Sequence, residues 1–545
     1  MRAPPLLLAG LALLPLLLGI DNDLENIDAT QYATVARHMI ATGDWVHLEW
    51  SQGVFVNKPP LALWAEAASM SAFGVSSWAA RLPAFLAAVL LVWVAWRLGL
   101  ALFDRTRAGV GAVLVASMVA VHQSVADPKV DWALAITTSS AVLAFVLARQ
   151  RPWLHWVGWV LCGLAVLSKG PLGLCLVAAA LVPEAVRAGW FEGKTWPVAL
   201  WRARILPGLG VVALVCAPFY RAVYERDGGK GLLFLLAGQG FGKLVGKSGI
   251  HNASSPAFFL HTALWVFLPA TVLLLPALWV KARALFRERA LPPKPERLLV
   301  WWLVVPIAAF SISEYKLPQY IYPLSVPVAL ICADFACGLG ERGVRWARGS
   351  FVALAVAGAV ASAVVLGFVF PIGWAGAITM SLLGLLLVAP GLRVPGVAGV
   401  AAVSLLTFEL TYQLHFLPRI NAYQLGRNVG EIALRVDPDG VVMPILLDEE
   451  APIASGLYSH RWELGIDVDR LAQFVRSGQT KVAIVPEWKW PDFAAAGLRV
   501  EKLARVADYS VTQPRAKFLN PATRDSAVRW FQLVRVEPIR SGEGL

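Results

Sequence analysis

The sequence predicts an all-α polytopic membrane protein of about thirteen transmembrane helices, followed by a small C-terminal soluble α/β domain. Three observations predict it. Of the 545 residues, 57% are hydrophobic and 15% are charged, where a soluble domain carries about 25% charged residues. Mean hydropathy is +0.61. Apolar runs of about 17 to 25 residues recur through the first three quarters of the chain, long enough to cross a bilayer as helices.

The first apolar run, 4–20, follows Arg2. A signal peptide is the alternative. With no small-x-small cleavage site before Asp21-Asn22-Asp23, an uncleaved first helix is preferred. The other expected spans are 84–103, 109–126, 132–149, 154–168, 171–186, 205–220, 257–280, 299–313, 320–338, 350–369, 371–390 and 394–413. The loops assign their sides. Arg105 and Arg107, Arg149 and Arg151, Arg187 to Arg204, Lys281 to Arg297, and Arg342 to Arg348 make every second loop basic, so those loops are cytoplasmic. The loop 221–256, with Lys230, Lys243 and Lys247, breaks the pattern because it is basic and lies on the outer side. The net charge of +12 would suggest nucleic acid in a soluble protein. Here topology accounts for it, and no nucleic-acid partner is inferred. The five cysteines lie within or beside apolar runs, without zinc-ligand spacing.

Composition changes near residue 415, giving domains 1–414 and 415–545. In the second, β-like runs at Val441–Leu447, Lys481–Val485 and Val528–Val536 alternate with a helical pattern at Val468–Arg476. An odd number of spans puts this domain outside.

Ionisable residues collect on the same outer side. Asp28 lies in the first outer loop, 21–83, and Lys58 follows in Asn57-Lys58-Pro59-Pro60. Asp127, Lys129 and Asp131 precede the fourth span, Lys169 sits in Ser168-Lys169-Gly170-Pro171, and Glu314 and Lys316 precede Leu317-Pro318. Charges at membrane depth are costly and point to function. Lysines can stabilise a departing phosphate, and a carboxylate can take a proton from an acceptor hydroxyl. The proline breaks would shape a cavity at the interface. Plainer roles stand beside these: Asp28 as a cap or solvated loop residue, Asp131 as the N-cap of the fourth span, Lys58 and Lys169 as snorkelling side chains. His122, His251 and His261 read as polar interface residues.

The ordered motifs sharpen the choice. Ile27-Asp28-Ala29-Thr30-Gln31-Tyr32, Thr42-Gly43-Asp44-Trp45, Asn57-Lys58-Pro59-Pro60-Leu61 and Ala80-Arg81-Leu82-Pro83 resemble the polyprenyl-phosphate-dependent membrane glycosyltransferases of the protein mannosyltransferase and lipid A aminoarabinose transferase group. Asp131, Ser168 to Pro171, Lys316-Leu317-Pro318 with Tyr320, and Pro418–Gly430 extend the likeness. The resemblance implies a GT-C fold and an inverting transfer from polyprenyl (undecaprenyl) phosphate to a lipid, glycan or protein acceptor. Carried over, Asp28 is the catalytic carboxylate and Asp131 the second acidic position. Lys58, Lys169, Lys316 and Tyr320 serve the donor phosphate, and Tyr32, Arg81 and Lys243 are substrate-binding candidates. Two positions depart from the family pattern, Ala29 where Glu is common and Gln31 where Arg is common. A divalent metal is left open as cofactor with no ligands assigned. The expected location is a bacterial inner membrane, with the active site facing the periplasm. The alternative function is a transporter or flippase of a lipid-linked anion, which should show inverted repeats and midplane charges. A non-catalytic assembly protein is a third reading. It would not need Asp28 and the lysines on one side.

Overall fold

The computed structural model describes residues 5–24, 27–50, 53–55, 57–191, 204–238, 255–285, 294–446, 455–491, 498–509 and 515–538. Lys243 lies outside the described residues.

Among the described residues, the first part of the chain forms the helices α1 (Pro5–Leu18), α2 (Ile27–Thr42), α3 (Leu61–Phe73), α4 (Ser77–Leu102), α5 (Arg105–Ser117), α6 (Val119–Ala126), α7 (Asp131–Leu147), α8 (Leu154–Lys169) and α9 (Leu172–Phe191). Further helices include Ile205–Leu233, Phe258–Val266, Thr271–Arg283, Lys294–Ile312, Ser325–Cys337 and Glu341–Val364. Each apolar run in the sequence falls on a helix or on helices separated by short breaks. Among the described residues, seven helices are long and apolar enough to cross a membrane, or eight if α5 and α6, bent by 45°, count as one span. The apolar helices α1, α7, α8 and the first part of α9 are shorter. On α4, Leu86, Val89, Leu90 and Trp93 are exposed, while Ala84, Ala88, Leu91 and Ala95 face the core. An outward row of large apolar side chains suits lipid rather than water.

The structure adds detail to one local expectation and corrects another. The segment expected as an outer loop, 21–83, holds α2, α3 and a short antiparallel hairpin, β1 (Glu49–Trp50) with β2 (Gly53–Val54). The polar residues of α2 hid its helical character from a reading based on apolar run length. Asp131 is also not the N-cap of its helix. Val130 occupies the cap position without a side-chain capping bond, and Asp131 is the first helical residue.

Beyond Asn421 the chain builds a mixed five-stranded sheet. Its strands are β3 (Val442–Ile445), β4 (Trp462–Gly465), β5 (Val482–Pro486), β6 (Leu498–Asp508) and β7 (Arg529–Pro538), in the order β4-β3-β5-β7-β6. β3 pairs parallel with β4 and β5, whereas β7 pairs antiparallel with β5 and β6. Alternation along the strands gives two cores. Ile484 and Leu533 pack with Val429 and Ala433 of the helix Arg427–Val436 on one face. Ala483, Val485 and Val534 pack with Leu471 and Val475 of the helix Val468–Arg476 on the other.

Candidate active site

Asp28 lies in the first turn of α2, and Tyr32 follows one helical turn later on the same face. The β1–β2 hairpin returns the chain so that Phe55 packs edge-on against Tyr32, ring centroids 6.2 Å apart. That contact delivers Lys58 to the same place, immediately before Pro59 and Pro60, the latter at the N-cap of α3. Lys169 is the last residue of α8. Gly170, at φ +66°, ψ −155°, turns the chain there, a conformation essentially restricted to glycine. Gly173 then lets α9 pack directly on α8, since a Cβ there would stand 2.5 Å from the Ala165 carbonyl oxygen.

These elements enclose a cavity of about 420 Å³. Asp28, Tyr32, Lys58, Lys129, Asp131, Lys169, Tyr315, Gln319 and Tyr320 line its polar part. Pro171, Leu172, Leu236, Ala309, Phe310 and Leu317 line an apolar part. Three lysines against two aspartates leave this lining with one excess positive charge. Lys169 Nζ stands 2.5 Å from Asp131 Oδ1 and 4.5 Å from the centroid of the Tyr320 ring. Tyr320 in turn stacks on Phe259 and leans on Phe310. Lys129 pairs with Asp127 at 2.9 Å. Burial disfavours the Lys129 cation, but Asp127, with Asp28 and Asp131 nearby, outweighs burial and raises its pKa above the usual lysine value. Burial, reinforced by Asp28 and Asp131, pushes the Tyr32 phenol well above its ordinary pKa, so it stays a hydrogen-bond donor.

Six residues singled out from the sequence therefore meet at one cavity: Asp28, Tyr32, Lys58, Asp131, Lys169 and Tyr320. Among the described residues, Lys316 and Arg81 do not. Lys316 is buried between Tyr315 and Leu317, and its neighbours rather than Lys316 itself line the space. Arg81 is 1% exposed and binds main-chain carbonyls of Ile20 (2.7 Å), Asp23 (3.0 Å) and Ala126 (3.1 Å), and also Asn22. It fastens the segment leading into α2 to α6 and does not reach the cavity. Lys243 lies outside the described residues. Ala29 and Gln31, the two departures from the family pattern, are buried away from the lining. Lys129, Tyr315 and Gln319 line the cavity without having been assigned to a site. Lys129 stood out as a charge beside an apolar run, whereas Tyr315 and Gln319 carried no signal beyond their neighbours. Among the described residues, no three His, Cys, Asp or Glu side chains converge as a metal-ligand group.

Known proteins share parts of this sequence and its fold. Residues 57–192, which carry Lys58, Asp131 and Lys169, match the family model described as dolichyl-phosphate-mannose-protein mannosyltransferase. An undecaprenyl phosphate-alpha-4-amino-4-deoxy-L-arabinose arabinosyl transferase of Yersinia pestis (strain Pestoides F) is 28% identical over 332 residues, covering 57% of this chain and 54% of that protein. The protein of that name from Pseudomonas paraeruginosa is 30% identical over 319 residues, covering 56% and 54%. The chain thus spans about half the length of the curated relatives it matches. The fold is similar to that of ArnT from Cupriavidus metallidurans bound to undecaprenyl phosphate, with TM-score 0.77, 19% identity and 97% of each chain covered. Against the apo form of that protein the TM-score is 0.73 at 20% identity. The chain is thus similar over residues 57–192 to the dolichyl-phosphate-mannose-protein mannosyltransferases, over about half its length to the undecaprenyl-phosphate arabinosyl transferases, and in fold to ArnT.

Proposed function

We propose that the protein transfers a sugar from an undecaprenyl-phosphate carrier to an acceptor on the outer face of a bacterial inner membrane. The observation that carries this reading is the single cavity where Asp28, Lys58 and the Asp131–Lys169 pair meet an apolar wall. A lipid-linked sugar phosphate needs both parts, cations for the phosphate and an apolar wall beside the lipid for the tail. In the proposed step the acceptor oxygen forms a bond to the anomeric carbon while the bond from that carbon to the phosphate oxygen breaks. Asp28 takes the acceptor proton, and the phosphate leaves with the electron pair. Lys58 and Lys169 hold the phosphate as its charge grows, Asp131 fixes Lys169, and Tyr320 walls the donor side. Inversion follows from a single displacement. No step is derived through a metal, because the described carboxylates do not form a ligand set.

The relatives' name suggests 4-amino-4-deoxy-L-arabinose as the first donor sugar to test and a lipid A-like glycolipid as the first acceptor; glycan and protein hydroxyls are the other acceptor classes. The proposed topology has thirteen crossings, with residues 1–414 forming the membrane domain and 415–545 a soluble domain in the periplasm. Transfer would be measured in membranes supplied with a panel of radiolabelled undecaprenyl-phosphate sugars, for the wild type and Asp28→Asn. Transfer by the wild type and a loss of about 100- to 10,000-fold in the folded variant is expected. Equal transfer by both would remove Asp28 from the mechanism. Donor flipping without transfer would replace the enzyme reading with the transporter one.

A further inference from the structure

The helix carrying Asp28 is held from behind by the C-terminal sheet. Arg37 lies nine residues after Asp28 on α2, about two and a half turns along and so on the opposite side of the helix. Its Nη2 donates to the main-chain carbonyl of Arg461 at 3.1 Å, and its guanidinium lies over the Trp462 ring, 5.5 Å from the centroid. His38 meets the same indole edge-on, ring centroids 4.5 Å apart. Trp462 and Glu463 belong to β4, an edge strand of the five-stranded sheet, and Arg461 directly precedes it.

The segment entering α2 is fixed from the same side. The Tyr458 hydroxyl accepts from the Leu24 main-chain N–H at 3.0 Å and lies 2.9 Å from the Ser77 hydroxyl at the start of α4. Arg427 Nε stands 2.9 Å from Asp23 Oδ1. Leu457, beside Tyr458, is buried in the same apolar cluster as Ala29, Tyr32, Ala33 and Ala36 of α2. None of these C-terminal residues lines the cavity. They clamp a helix whose opposite face presents Asp28 and Tyr32 to it.

We infer that Arg37 and Trp462 are positioning residues for the catalytic carboxylate: the C-terminal sheet sets where α2, and with it Asp28, stands relative to the lysines held by other elements. The inference rests on the transferase reading for its kinetic part and on the contacts alone for its structural part. Because Lys129 and Lys169 are held at the ends of α7 and α8, loosening α2 should move the base, and Lys58 with it through the Tyr32–Phe55 contact, while two of the three cavity lysines stay in place.

The test uses the full chain in lipid nanodiscs, with Arg37→Met, Arg37→Lys and Trp462→Leu. Three quantities are read: hydrogen exchange along 27–42, binding of undecaprenyl phosphate alone, and kcat and KM for the donor that the wild type uses. Arg37→Met and Trp462→Leu are each expected to speed exchange in α2 and leave exchange in α7 and α8 unchanged. Both should lower kcat roughly 10- to 100-fold, as misplacement of a reacting group does, and weaken undecaprenyl-phosphate binding and raise KM by less than about tenfold, since Lys129 and Lys169 keep their places. Arg37→Lys should recover part of kcat, since a cation remains over the indole. Wild-type exchange in α2 in both disruptive variants would overturn the inference, as would unaltered kcat. If one disruptive variant fails to fold, the other reads the same contact from the opposite partner. If the wild type transfers no sugar, the transferase reading fails, and the exchange rates still decide whether the sheet holds α2.

Discussion

The Lys169 ammonium lies 2.5 Å from the Asp131 carboxylate, although the two residues are separated by the lengths of α7 and α8. Asp131 opens α7 and Lys169 closes α8, so the pair pins together one end of each of two antiparallel helices at the cavity wall. The side chains are 5% and 16% exposed, and removing one partner leaves the other charge buried without its counter-ion. Lys169→Met is expected to cost about 3–5 kcal/mol of stability. The double change Lys169→Met with Asp131→Asn should recover most of that loss and none of the transfer activity. Thermal unfolding in detergent and a transfer assay on the four proteins of the cycle check both halves.

Lys58 separates binding from folding. It precedes α3 on a surface segment and lines the cavity, so its loss should leave the helical core intact. A charge-assisted hydrogen bond contributes about 1.5–3 kcal/mol, so Lys58→Met should weaken binding of undecaprenyl phosphate roughly 10- to 100-fold. Titration with the lipid phosphate at low and high salt checks this; unchanged affinity would remove Lys58 from the donor site.

At Gly170 the backbone itself is the constraint. Its φ of +66° with ψ −155° admits a side chain only under strain, and Gly170→Ala should cost about 1–3 kcal/mol. Because Lys169 is its neighbour, the same change should also lower donor affinity. Gly43→Ala serves as the control. Gly43 also has positive φ, but lies at the far end of α2 with open space around a Cβ, and its substitution should leave donor affinity unaltered.

Glu463 gives the C-terminal sheet a pH dependence. Burial pushes its carboxyl up to about 7, against the opposing pull of Ser455 and Arg37. An acid whose folded pKa is raised stays protonated in the folded protein while the unfolded chain has already released its proton. Stability is therefore highest below the unfolded pKa and falls as pH rises from about 4.5 through 7, by of order 3 kcal/mol in total. Glu463→Gln should flatten this slope and raise the melting temperature at pH 8 relative to the wild type. Melting curves at pH 5 and pH 8 test the sign, and a wild type that gains stability over that interval, relative to the variant, would refute it.

The sequence alone determined which segments leave water and which charges are expensive. Runs such as 84–103 and 350–369 can satisfy their main-chain polar groups in lipid only as helices, so composition and length suffice to read them. Asp28, Lys58, Asp131 and Lys169 were legible for a related reason: isolated charges beside apolar runs stand out, and their ordered motifs narrow the chemistry. What it left open depends on neighbours distant in the chain. Apolar run length could not show that 21–83 folds into α2 and α3, because neither helix is a long continuous apolar run. It could not separate Lys316 from Tyr315 and Gln319, because which side of a turn faces a cavity is set by the helices packed around it. Nor could it give Arg81 and Arg37 their partners, which are carbonyls on remote segments. Tertiary structure decided those points, since a main-chain carbonyl has no identity in sequence until folding brings it within reach of a particular guanidinium.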